Sequence, residues 1–77
     1  MNKPLIAVED IYTGFKSPAA VPNLDAAKRD FKLLTVHPET ACPEDLRLWH
    51  VGEYNTETGD ITPIKPEMIM KGEPHES

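Results

Sequence analysis

The run Leu46-Arg47-Leu48-Trp49-His50-Val51-Gly52-Glu53-Tyr54 alternates, and that alternation decides the fold. A two-residue rhythm sends Leu46, Leu48, His50 and Tyr54 to one face of a strand, and Arg47, Trp49, Val51 and Glu53 to the other. Asn55-Thr56-Glu57-Thr58-Gly59 follows, polar and glycine-ended, with the character of a hairpin loop. Residues 60–64 return as the last strand, where Pro63 and Pro66 remove backbone donors and limit pairing. Met68-Ile69-Met70 then reads as a small apolar island in a polar tail, and residues 72–77 as a flexible tail.

Upstream of the hairpin, residues 37–45 form a loop by composition, with Pro38 and Pro43 breaking any regular element. Before it comes the best helix signal. Asn23 follows Pro22 and is placed to cap the orphan amides of a helix starting at Leu24. Leu24, Ala27, Phe31 and Leu34 recur at helical spacing as one apolar face, and the helix ends near Val36 because Pro38 disfavours a helical His37. Asp25 suits the first turn and faces Arg29 one turn on. At the start of the chain, residues 5–13 are rich in β-branched and aromatic side chains and read as a strand ending at Gly14. Residues 15–21 return as a second, edge strand interrupted by Pro18. The predicted order is β-β-α-β-β. This is an α+β fold, a small antiparallel sheet with one helix on one face, occupying residues 1–71 as one domain. The other face has no second helix to cover it.

Seventy-seven residues bury a small core, and a single cysteine, Cys42, allows no internal disulfide. Self-association is the remaining common source of stability, so a homodimer is expected, with Trp49 and Val51 on the uncovered face as its contact residues. No apolar run is long enough for a signal peptide or a membrane span, so no membrane role is expected. The formal net charge of −5 is unevenly placed. Acids dominate from His37 onward, whereas through Val36 basic residues slightly outnumber them. Such a chain is unsuited to coating nucleic acid in bulk but can carry one local basic face.

A longer stretch carries a family likeness. Pro43-Glu44-Asp45-Leu46-Arg47-Leu48-Trp49-His50-Val51-Gly52-Glu53-Tyr54-Asn55-Thr56-Glu57-Thr58-Gly59-Asp60-Ile61 resembles a segment of a small nonstructural protein of gokushovirus-type Microviridae, single-stranded DNA phages. The first half agrees more loosely, through Asp10, Phe15, Pro18, Asn23, Ala27, Arg29 and Phe31. The resemblance implies a nonstructural, DNA-binding protein active in phage DNA replication or in the switch to single-strand synthesis and packaging. It implies residence in the cytoplasm of the bacterial host and absence from the mature virion. None of the matching residues forms a catalytic or metal motif.

Candidate nucleic-acid contacts are Lys28, Arg29 and Lys32 on the helix, and Arg47 with Trp49 on the strand. The lysines and arginines suit phosphates, and an exposed indole suits stacking on a base. The same residues also read as an ordinary solvated helix face, and Trp49 as core or interface. His37, Cys42 and His50 lack a fourth ligand at zinc spacing, so neither metal nor cofactor is expected. Glu39, Glu44, Asp45, Glu53, Glu57 and Asp60 fall in loops or at the hairpin, where solvation opposes acid–base work. The chain therefore reads as a binding protein and not as an enzyme. Its partner is single-stranded DNA, or alternatively a phage or host replication or packaging protein docked on the uncovered face and the acidic second half.

Overall fold

Strand β1 (Asn2–Asp10) opens the fold in a computed structural model that describes residues 1–75. Asp10 ends it by folding back on itself, its carboxylate accepting the Tyr12 N–H at 2.9 Å and its carbonyl the Thr13 N–H at 3.1 Å. Gly14, at φ 95, completes the reversal in a backbone region other residues avoid. The expected return strand is split in two. β2 (Gly14–Phe15) pairs with Asp10 and Glu9, and β3 (Ala19–Ala20) pairs with Ile6 and Leu5. Pro18 lies between the two and has no N–H for the ladder.

Helix α1 (Leu24–Val36) begins and ends where its signals lie. Asn23 is extended, and its side chain accepts the Ala26 N–H at 2.7 Å. At the other end the Leu34 carbonyl takes the Thr40 hydroxyl at 2.7 Å and the His37 N–H at 3.3 Å. The buried line, however, is Ala27, Phe31 and Thr35, while Leu34 is 43% exposed. Thr35 tolerates burial because its hydroxyl donates to the Lys32 carbonyl at 3.1 Å. Among the described residues no helix is long and apolar enough to cross a membrane.

After a 3-10 turn at Pro43–Asp45, β4 (Leu46–Asn55) and β5 (Ile61–Lys71) form the predicted hairpin. Asn55 organises its loop, accepting the Glu57 and Thr58 N–H groups on Oδ1 at 2.9 and 3.3 Å. Its carbonyl takes the Gly59 N–H at 2.8 Å. β5 runs well past the expected residue 64. The two prolines are accommodated because β5 is an edge strand, and the register slips between His50 and Gly52, the stretch opposite Pro63 to Glu67. Ile69 and Met70, expected in a tail, pack on the core instead.

The sheet order is β2-β1-β4-β5, antiparallel throughout, with β3 also on β1. Ala27, Phe31, Leu46 and Leu48 form the core, flanked by Ile6, Val8, Val21, Ile69 and Met70. The thirteen-residue helix is about 20 Å long, whereas the molecule extends 47 Å, so the hairpin end projects beyond it.

Gly72, the first residue of the expected tail, is buried and donates its N–H to the Leu46 carbonyl at 2.9 Å. Residues 76 and 77 of that tail lie outside the described residues. A side chain at position 72 would run into the Pro43 carbonyl, with Thr35 Cγ2 at 3.2 Å behind it. Gly72→Ala is accordingly expected to destabilise the fold by about 2 kcal/mol through overpacking. In a thermal melt that is a fall on the order of 10 °C. An unchanged melting temperature would contradict this packing.

Candidate functional site

The face of the sheet turned away from α1 is laid out in rows set by strand register. Leu46 and Leu48 meet the helix, so Arg47 and Trp49 project from the opposite side. In the first row Phe15, Glu9, Arg47 and Lys71 stand side by side across four strands. The second holds Ala7, Trp49 and Met68; the third Leu5, Gly52 and Pro63; the fourth Lys3, Tyr54 and Ile61.

Tyr54 was expected beside Leu48. The register shift between Leu5 and Ile6 makes Val51 an extra residue and reverses the alternation beyond it. Tyr54 therefore joins the open face, and Val51 lies half-buried at the bulge. Gly52 sits in close quarters at this point. A Cβ there would stand 3.0 Å from the Thr62 carbonyl oxygen and 3.4 Å from Leu5 Cδ1.

Trp49 is held from two sides. Its indole N–H donates to Glu9 Oε1 at 2.9 Å, and its ring packs on Phe15 at a centroid distance of 5.8 Å and a tilt of 56°. Such tilted aromatic pairs are favourable beyond their buried area. Glu9 Oε1 also lies 4.0 Å from Arg47 Nη1, while the buried Arg47 Nε finds no hydrogen-bond partner among the described residues. One carboxylate thus holds the indole and lies at the edge of ion-pair range of the guanidinium. Phe15 remains 52% exposed, so the pair presents aromatic surface to solvent. Lys3, Arg47 and Lys71 against the single acid Glu9 make these rows locally basic on an acidic chain.

Lys28, Arg29 and Lys32 are all exposed on α1, across the sheet from Arg47 and Trp49. Arg29 Nε lies 3.6 Å from Asp30 in full solvent, a pair of little energetic weight. The five candidate contacts therefore form two surfaces and not one. Sequence reading missed Glu9, Phe15, Lys3 and Lys71 as members of the open face, because only strand register brings them together. Cys42 is exposed and unpaired, and no group of three or more His, Cys, Asp or Glu side chains converges among the described residues.

Fold and site together define a small α+β sheet protein with one helix-covered face and one open face of aromatic and cationic side chains. The chain belongs to the phage ORF5 protein family, whose model matches residues 3–74. No curated protein and no solved structure gives a significant match.

Glu9→Ala removes the acceptor of the indole and is expected to lower stability by about 1 kcal/mol. It should also move the emission of the single tryptophan. Glu9→Gln keeps an acceptor and should leave the emission near wild type. Equal spectra for all three proteins would mean that Glu9 does not hold Trp49.

Proposed function

We propose that this phage protein is nonstructural, belongs to a gokushovirus-type member of the Microviridae, and binds single-stranded DNA on the open sheet face during viral DNA synthesis in the host cytoplasm. It acts by binding and not by catalysis. The observation that carries the reading is the Phe15–Trp49 pair, uncovered by any helix and flanked by Arg47. Unpaired bases present flat π-faces, and an aromatic side chain on a sheet accepts them without regard to sequence, at about 1–3 kcal/mol per base. Trp49 suits this because Glu9 and Phe15 fix its ring before any ligand arrives, so little ordering is required on binding. Arg47, with Lys3 and Lys71 on neighbouring strands, supplies charge for the phosphates that link stacked bases.

The overall charge of −5 limits nonspecific attraction and favours contact confined to this face. The helix cations are left outside the binding surface, since a strand lying along the open face does not reach them.

A fluorescence-anisotropy titration with a labelled oligothymidylate tests this reading across a salt series. Affinity should fall with salt at a log–log slope of about −2, as expected for roughly three phosphate contacts on a single strand. Trp49→Ala should weaken binding about tenfold, equivalent to one lost stacking interaction. Arg47→Ala should make the slope shallower by nearly one unit, and the pair Lys28→Ala with Lys32→Ala should change neither quantity. Absence of binding at low salt would sink the proposal, and loss of binding only in the helix variant would move the site to the other face.

A further inference from the structure

We propose that Tyr54, flanked by Lys3, is a second base-stacking station on the open face, so that one single strand runs lengthwise along β4 and touches both ends of it. On the DNA reading given above, on which this rests, the footprint thereby gains a length and an axis. In the fourth row Tyr54 stands between Lys3 on β1 and Ile61 on β5. A ring with a cation close by is also what Trp49 and Arg47 present at the other end of the face.

The bulge at Val51 is what puts Tyr54 there. Four steps on β1, from Ala7 to Lys3, lie opposite five on β4, from Trp49 to Tyr54. With unbroken alternation Glu53 would project from the open face and Tyr54 from the helix side. One inserted residue exchanges them, and bulges next to active sites re-aim side chains in this way. A separate contact fixes the exchange. His50 pairs with Ile6 on the core side, and its Nε2 lies 3.3 Å from Glu53 Oε1, so Glu53 stands on that side too. Glu67, the partner of His50 on β5, joins them there. No paired residue in the second, third or fourth open row is an acid. The bulge thus takes a carboxylate out of the path of a polyanion and sets a ring in its place.

Spacing sets the kind of ligand. The four steps of β1 between the two rows span about 13 Å. A stacked single strand rises about 3.4 Å per nucleotide, so at most about four nucleotide steps separate the stations. A mononucleotide cannot touch both, whereas a short polymer can. The third row between them, Leu5, Gly52 and Pro63, carries no charge and, at Gly52, no side chain. A bridging segment of the strand therefore crosses it without a competing polar group, and its phosphates are met at the two ends by Arg47 and Lys3.

Two oligothymidylates test this on the full chain, a dinucleotide too short to bridge the stations and an octanucleotide that spans both. Each is titrated by quenching of the single tryptophan. Wild-type protein should bind the octanucleotide about tenfold more tightly, the worth of one added stacking interaction. Tyr54→Leu should abolish that gain and leave dinucleotide binding at Trp49 unchanged, which also shows that the variant is folded. Tyr54→Phe keeps the ring and should match wild type with both ligands. Lys3→Ala leaves ring and core intact and decides the matter if Tyr54→Leu does not fold. It should make the salt dependence shallower with the octanucleotide and not with the dinucleotide. No binding of either ligand at low salt overturns the DNA reading, and the second station with it. Octanucleotide binding that withstands Tyr54→Leu, that falls equally with Tyr54→Phe, or whose salt slope ignores Lys3→Ala overturns the second station alone.

Discussion

Strand β4 is hydrogen-bonded on both sides, to β1 and to β5, and the rest of the molecule hangs on it. Its alternation assigns the two faces their chemistry. Leu46 and Leu48 project toward α1 and make the core, while Arg47 and Trp49 project away from it and make the open surface. A one-residue slip of β4 would exchange these sets, burying a guanidinium and exposing two leucines. The register is fixed at both ends. The Gly72 N–H ties to the Leu46 carbonyl at one, and the Asn55-centred loop closes the other.

One helix is too little cover for such a sheet. The 13 residues of α1 span less than half of the 47 Å length, and its core line, Ala27, Phe31 and Thr35, sits over the Leu46 end of β4. What is left over is organised. Leu5 and Ala7 are buried on the far side, in register with Gly52 and Trp49 respectively. Glu9 neutralises part of the Arg47 charge while holding the indole. A face built this way keeps aromatic surface at the solvent boundary while its polar groups hold one another in place.

Elements with strong local chemistry were legible in the sequence. The Asn23 cap, the Pro38 stop, the Gly14 and Gly59 turns and the alternation of residues 46–50 all encode themselves within a few residues. What escaped depends on distant pairing. The bulge at Val51 reverses the direction of Tyr54, and nothing near Val51 announces it. β5 was cut short because Pro63 and Pro66 break a central strand but not an edge one, and its edge position is a property of the whole sheet. Thr35 displaced Leu34 from the core because Gly72 packs beside it, a contact between residues 37 positions apart. The site followed the same rule. Arg47 and Trp49 stood out by residue type, but their separation from Lys28, Arg29 and Lys32, and their alliance with Glu9 and Phe15, exist only in three dimensions.

The prolines of β5 have one more effect. An eleven-residue outer strand is a ready template for adding strand after strand from neighbouring molecules, the first step toward fibrous growth. With Pro63 and Pro66 in it, the border offers an interrupted series of amide donors, and the slipped registers kink it besides. On the opposite border, β2 and β3 are only two residues each. Lateral polymerisation is thus blocked along both margins.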